Sequence, residues 1–131
     1  MRKASLLYTA LVLMILLGGL HLLAIHFYFY WTIWWFDILM HILGGFIGTL
    51  LVLWFISPTT GFRPALIAIT TLLAVGIVWE IFEYVYDIAA ISNYWQDTIG
   101  DLISDVIGTI LACLYAMSGQ IREYFSGFQE N

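Results

Sequence analysis

Charged residues are scarce in this chain, and basic residues are the scarcest of all. Only 10% of its 131 residues are charged, whereas 63% are hydrophobic. A soluble domain of ordinary composition carries about 25% charged residues. The four basic residues form no patch that could bind a nucleic acid, so a DNA- or RNA-binding function is excluded. The composition instead indicates an integral membrane protein with a single transmembrane domain, residues 1–131.

Cysteine and proline are also rare. The single Cys113 cannot form an intrachain disulfide, so cysteine usage does not indicate a cellular compartment. Pro58 lies in the segment 57–61, whose residues predict a turn, and Pro64 suits the first turn of the helix that follows. The two prolines therefore separate predicted helices and interrupt none.

Long apolar runs make up most of the chain. A helix needs about 20 mostly apolar residues to cross the hydrocarbon core of a bilayer. Four runs meet this requirement, and we predict an all-α, integral membrane four-helix bundle with spans at about 5–28, 31–56, 64–91 and 98–117. A short cytoplasmic tail, 118–131, follows the last span. The basic start of the chain resembles a signal peptide, but the apolar run after it is too long, so we expect a retained span.

The few basic residues all fall on one side of the predicted bundle. They precede the first span, join the second to the third, and follow the fourth: Arg2, Lys3, Arg63 and Arg122. The positive-inside rule then places both termini in the cytoplasm. Aromatic residues cluster in the two opposite loops, as in the interfacial belt of a membrane protein. We expect the protein in a prokaryotic plasma (inner) membrane.

Acidic residues are concentrated in the predicted spans. Seven of the nine lie inside these spans or at their ends: Asp37, Glu80, Glu83, Asp87, Asp97, Asp101 and Asp105. No Lys or Arg lies between Arg63 and Arg122 to balance them. A charged side chain at the centre of a bilayer costs about 2.5–3.5 kcal/mol even on the most lenient scale. The cluster therefore requires protons, bound cations or a water-filled cavity, and it is the predicted functional site.

The acidic residues share helix faces as well as depth. Residues three or four apart lie on one face of a helix. This spacing gives three pairs: Asp37 with His41, Glu80 with Glu83, and Asp101 with Asp105. In the predicted orientation all three pairs lie in the outer half of the membrane, so we expect one site that faces the extracytoplasmic side.

Three short motifs, in this order, resemble a known family. They are Asp37-x3-His41-x2-Gly44, Glu80-x2-Glu83 and Asp97-x3-Asp101-x3-Asp105-x2-Gly108. Over residues 31–116 the chain resembles the YjdF-like family of small bacterial inner-membrane proteins. More distantly it resembles the VanZ-like family, whose members carry a basic residue before the last motif and an Asn or similar residue where this chain has Asp105. The resemblance implies a site at these positions and no particular reaction.

Carboxylates with one imidazole are typical ligands of divalent cations. They suit Mg²⁺, Mn²⁺ or Ca²⁺, and also Fe²⁺ or Zn²⁺ if the imidazole binds directly. We predict one or two such ions, and the sequence does not distinguish among these metals. The predicted ligands are Asp37, His41, Glu80, Glu83, Asp101 and Asp105. Either Asp105 or Glu80 is the candidate general base. Behind the ligands or at the mouth of the site we expect Asp87, Asp97 and His21.

Three functions are compatible with such a site. A metal-dependent hydrolase or transferase would act on a lipid or lipid-linked substrate, because divalent ions activate water and bind phosphate. A cation or proton transporter or channel subunit would use the acidic residues as a pathway. A structural membrane protein would use the carboxylates only to join helices. Membrane lipids are the expected partners, and the small residues on the helix faces allow a homo-oligomer.

Overall fold

The protein consists of helices joined by short connections. The computed structural model describes residues 3–56, 62–86 and 94–126, and no strand occurs among them. The described residues form four long helices and one short one: α1 (Lys3–His26), α2 (Phe29–Thr32), α3 (Phe36–Ile56), α4 (Phe62–Val85) and α5 (Tyr94–Ser126). The four long helices are long and apolar enough to cross a membrane. The predicted all-α membrane bundle is thus confirmed.

The connection between α1 and α3 differs from the prediction, which started the second span at residue 31. Tyr28 adopts a left-handed conformation, with φ of 60° and ψ of 33°, and this interrupts the helix after His26. Four residues then form α2, and Ile33 is extended before α3 begins at Phe36. The left-handed region is unfavourable for a residue with a Cβ atom, so a tyrosine is not expected to adopt it. The apolar composition of this segment therefore does not predict the break.

The ends of α4 and α5 also differ from the predicted spans. Helix α4 begins at Phe62 with Pro64 in its first turn. Backbone N–H groups in the first turn have no partner within the helix, so proline costs no hydrogen bond there. It ends at Val85, before the predicted end at residue 91. The predicted turn at 57–61 and the acidic Asp87 lie outside the described residues. Helix α5 begins at Tyr94 and not at residue 98.

The predicted tail, 118–131, is helical through Ser126 as a continuation of α5. A glycine within a helix costs only about 1 kcal/mol relative to alanine, so Gly119 does not end the helix by itself. At about 1.5 Å per residue, the 33 residues of α5 extend well beyond a hydrocarbon core of about 30 Å.

The closest helix contact joins α3 and α5, which run in the same direction. A Cβ atom on Gly45 would collide with the backbone oxygen of Asp105, and one on Gly108 would collide with the backbone oxygen of Ile42. The two backbones therefore touch, as small residues permit in membrane helices. Helix α4 runs the opposite way and packs against both.

An apolar cluster fills the other end of the bundle, away from the acidic residues. It joins the beginning of α1 to the second halves of α3 and α5, and its buried members are Leu6, Ala10, Ile47, Leu50, Leu53, Ala112 and Ala116. Burial of apolar and small residues on three helices fixes their relative rotation. This rotation turns the polar faces of α3 and α5 toward each other at the opposite end.

Candidate metal centre

The imidazole of His41 lies at the centre of the acidic residues contributed by α3 and α5. Its side chain is 12% exposed. Its Nδ1 atom lies 3.3 Å from Oδ1 of Asp105, within hydrogen-bonding distance. Its Nε2 atom lies 4.0 Å from Oδ1 of Asp37 and 3.9 Å from Oδ2 of Asp101. One ring nitrogen thus faces one carboxylate, and the other nitrogen faces two.

Helix periodicity and the backbone contact together explain this arrangement. Asp37 and His41 are four residues apart on α3, and Asp101 and Asp105 are four apart on α5, so each pair shares a face. The contact at Gly45 brings the backbone of Asp105 directly against α3. The two faces therefore meet at this point.

Three of these residues have the geometry of a metal-ion site. Asp37, His41 and Asp101 each offer one ligand atom, and the three atoms lie within 4.8 Å of one another. Among residues 3–56, 62–86 and 94–119, this is the one group of three or more potential ligands that meets this criterion. Two carboxylates and one imidazole form a donor set that divalent cations accept.

Oδ2 of Asp101 is a buried oxygen that lacks a hydrogen-bond donor among the described residues. The residue is 2% exposed, and within the described part of the chain no group donates a hydrogen bond to this oxygen. A buried carboxylate with an unsatisfied oxygen is costly unless a proton or a cation neutralises it. The same oxygen is the atom that faces Nε2 of His41. The unsatisfied atom therefore points into the three-residue group.

Glu80 lies on α4 and is held by α5. Its Oε2 atom accepts a hydrogen bond of 2.6 Å from the hydroxyl of Thr98. The residue is 5% exposed, and its Oε1 atom is buried without a partner among the described residues. Glu80 is not one of the three residues of the group, although it was predicted as a ligand. Its free oxygen can accept a proton or a hydrogen bond.

The other predicted site residues surround the group. Glu83 is half-buried, and its Oε1 atom accepts a hydrogen bond of 3.0 Å from the indole of Trp79. Asp97 is half-buried in the first turn of α5. Asp105 bonds to the far side of the His41 ring and does not belong to the three-residue group.

His21 connects to the site through a tyrosine that was not predicted. Its Nδ1 atom lies 2.7 Å from the hydroxyl of Tyr30 on α2. The Tyr30 ring packs edge-on against Phe36, with centroids 5.1 Å apart, immediately before Asp37. Burial, followed by the charges of Asp37 and Glu83, raises the pKa of Tyr30 to about 12. Tyr30 therefore stays protonated beside the acidic residues. In the sequence, its place in an aromatic run is the only feature that draws attention to it.

Gly76 leaves the space that the Asp105 carboxylate occupies. A Cβ atom at this position on α4 would lie 2.6 Å from Oδ2 of Asp105 and 2.9 Å from Cδ2 of Leu102. The sequence indicates Gly76 only as one of the small residues on the face of α4. Its position against Asp105 shows that α4 shapes the site without adding a ligand to the three-residue group.

The fold and the buried Asp/His cluster define an integral membrane helical bundle with polar residues enclosed at one end. The chain belongs to the family described as "Predicted membrane protein (DUF2238)", which matches residues 1–120. No curated protein and no solved structure matches the chain. The family match agrees with the membrane class, and the comparisons do not support the VanZ-like resemblance.

Proposed function

We propose that the protein binds a divalent cation through Asp37, His41 and Asp101 and acts on the phosphate of a lipid or lipid-linked substrate. The observation that carries this proposal is the buried Oδ2 of Asp101, which has no hydrogen-bond donor in the part of the chain that the structure describes and faces Nε2 of His41 at 3.9 Å. A cation there would satisfy this oxygen and offset two carboxylate charges. Within a membrane such compensation is worth several kcal/mol.

The donor set fits a catalytic ion better than a structural one. Three protein ligands leave coordination positions free, whereas structural sites are usually closed by the protein. When bound, a divalent ion supplies positive charge to a phosphoryl oxygen and makes its bound water more acidic. The free Oε1 of Glu80 makes this carboxyl the proposed proton acceptor.

Access from the membrane interface supports a lipid head group as substrate. The Asp37 side chain is 36% exposed and lies in the first turn of α3. Large aromatic residues beside it are exposed, including Trp31, Trp34 and Trp35. Such residues favour the head-group level of a bilayer. Since no Lys or Arg lies between Arg63 and Arg122, the cation would be the anchor of a phosphate group.

Transport of a cation or proton receives less support. A pathway would have to continue from the acidic residues to the other end of the bundle. The backbones of α3 and α5 touch beside Asp105, directly next to the acidic residues. Beyond this contact, the apolar cluster around Leu50 fills the space between the helices. A purely structural role does not explain why Oδ2 of Asp101 and Oε1 of Glu80 are buried without a hydrogen-bond donor among the described residues.

We also propose that the family is the YjdF-like group, on the three motifs and the match over residues 1–120. The distribution of basic residues supports a plasma-membrane protein with cytoplasmic termini and an extracytoplasmic site.

Elemental analysis of the detergent-purified protein tests the metal site. We expect about one divalent ion per chain, and we expect Asp101→Asn to lose it, because the amide cannot neutralise the ion. Thr70→Val is the control: its hydroxyl bonds to carbonyl oxygens of its own helix, away from the three-residue group, so this variant should keep the ion. Equal metal content in all three proteins would contradict the ligand assignment.

The same proteins test the chemistry. In mixed micelles that contain phosphorylated lipids, we expect metal-dependent release or transfer of phosphate by the wild type and by Thr70→Val, and none by Asp101→Asn. Metal-dependent uptake of Mn²⁺ into proteoliposomes, with no reaction of any lipid, would favour transport instead.

A further inference from the structure

We infer that Asp105 is a positioning residue that turns His41 into a nitrogen ligand. The site would then favour Mn²⁺, Fe²⁺ or Zn²⁺ over Mg²⁺ and Ca²⁺. This inference rests on the proposed function, and it gives Asp105 a role other than the ligand or base that the sequence predicts. It follows from the two sides of the His41 ring, which face different carboxylates.

The hydrogen bond to Asp105 determines which ring nitrogen can bind an ion. We assign the tautomer from this contact: an ionised carboxylate only accepts hydrogen bonds, so the Nδ1–H group of His41 would donate to Oδ1 of Asp105, 3.3 Å away. The lone pair of a neutral imidazole then lies on Nε2. Nε2 is the nitrogen that faces Asp37 and Asp101. A carboxylate behind a ligating histidine is a common means of fixing the ring and strengthening its basicity.

Asp105 is itself held in place from three sides. The Thr109 hydroxyl donates a hydrogen bond of 2.9 Å to the backbone oxygen of Asp105. The same backbone oxygen lies against Gly45 of α3. The Oδ2 atom of Asp105 lies over Gly76 of α4, and a side chain at position 76 would leave no room for it. The carboxylate is buried, so it has little freedom to turn away from His41.

A direct nitrogen ligand changes which ions the site prefers. Mg²⁺ and Ca²⁺ bind oxygen ligands almost exclusively and hold water or carboxylates in preference to imidazole. Imidazole suits Zn²⁺ and Fe²⁺, and the 2:1 mixture of carboxylate and imidazole also accepts Mn²⁺. A site in which Nε2 is fixed among two carboxylates therefore selects against the two commonest divalent ions.

Titration of the detergent-purified, metal-free protein with Mn²⁺, followed by electron paramagnetic resonance, tests the inference. In the wild type we expect spin-echo modulation from a directly bound imidazole nitrogen, displacement of Mn²⁺ by Zn²⁺, and little displacement by Mg²⁺. Asp105→Ala should weaken Mn²⁺ binding by about 10–100-fold and reduce the nitrogen modulation. Asp105→Glu keeps a carboxylate and should recover part of the affinity.

A double-mutant cycle separates positioning from general packing. Gly76→Ala pushes on Oδ2 of Asp105 and should weaken Mn²⁺ binding in the wild-type background. In the Asp105→Ala background the same change meets no carboxylate, so most of its effect on affinity should disappear. Gly48→Ala is the control, since a Cβ atom there meets only the flexible side chain of Leu72, whose Cδ1 atom would lie 2.7 Å away. It should leave Mn²⁺ affinity unchanged in both backgrounds.

The possible outcomes distinguish this inference from the proposed function. If the wild type binds no divalent ion, both are wrong. If it binds Mn²⁺ but Asp105→Ala binds equally tightly with unchanged nitrogen modulation, only the positioning role is wrong. Equal displacement of Mn²⁺ by Mg²⁺ and Zn²⁺ would overturn the selectivity.

Discussion

Asp101 and Glu80 both have a buried carboxyl group, but different groups lie beside their oxygens. Glu80 accepts a hydrogen bond from Thr98 through one oxygen and leaves the other without a partner. Asp101 has its unpartnered oxygen beside the imidazole of His41. An ion near His41 would therefore satisfy Asp101, whereas Glu80 depends on Thr98 for its stabilisation. The Thr98 hydroxyl is thus expected to contribute to stability even without metal.

Replacing Thr98 by valine should destabilise the protein. The change removes the donor to Oε2 of Glu80 and leaves that buried oxygen unsatisfied, which costs about 1–3 kcal/mol. Thermal unfolding in detergent would show a lower midpoint. Thr70→Val is the matched control, because the exposed Thr70 hydroxyl bonds only to carbonyl oxygens of its own helix, those of Leu66 and Ile67. Equal shifts for both variants would show that the Thr98 contact adds nothing.

At the scale of the helices, the contact between α3 and α5 determines whether the site exists. Gly45 and Gly108 allow the two backbones to touch, and the touching point lies beside Asp105. Any increase in the distance between these helices also separates His41 from Asp101. Helix packing and site geometry are therefore coupled in this bundle.

Adding one methyl group at Gly108 tests this coupling. Gly108→Ala collides with the backbone of α3, which cannot move as a side chain can, and such overpacking costs about 1–3 kcal/mol. We expect a lower unfolding midpoint together with weaker Mn²⁺ binding. Gly100→Ala on the same helix meets nothing within 4 Å and should keep both properties. Normal Mn²⁺ affinity in Gly108→Ala would argue against the coupling.

Helix periodicity explains how much of this site can be predicted from the sequence. A spacing of four residues places Asp37 with His41, and Asp101 with Asp105, on single faces whatever the neighbours are. The orientation of the His41 ring depends on the rotation and distance of α5, which no local pattern contains. The same limit applies to Tyr30, because its proximity to Asp37 arises from the left-handed turn at Tyr28. Helix ends such as Val85 are equally hard to locate by composition.

At the scale of the whole molecule, the bundle has a polar end and an apolar end. The Asp/His cluster lies at one end, and the cluster around Leu50 closes the other. Large apolar side chains are exposed along all four long helices, as expected for contact with lipid. The proposed orientation puts the polar end, with its exposed Trp34, on the extracytoplasmic side.

Labelling of single cysteines tests this orientation. In a Cys113→Ala background, a membrane-impermeant maleimide should modify Trp34→Cys in intact cells, because Trp34 is 84% exposed in the connection before α3. Ser5→Cys, near the beginning of α1, should react only after the membrane is opened. The reverse pattern would invert the proposed topology.

The parallel contact between α3 and α5 has a consequence for biosynthesis. Two neighbouring helices can run in the same direction only if the chain crosses the membrane between them, and here α4 makes that crossing. His41 is therefore inserted two spans before Asp101 and Asp105, and the three residues meet only when the last helix arrives. Ion binding would then report that insertion is complete, and a chain truncated before α5 would retain Asp37 and His41 without the buried carboxylates of α5.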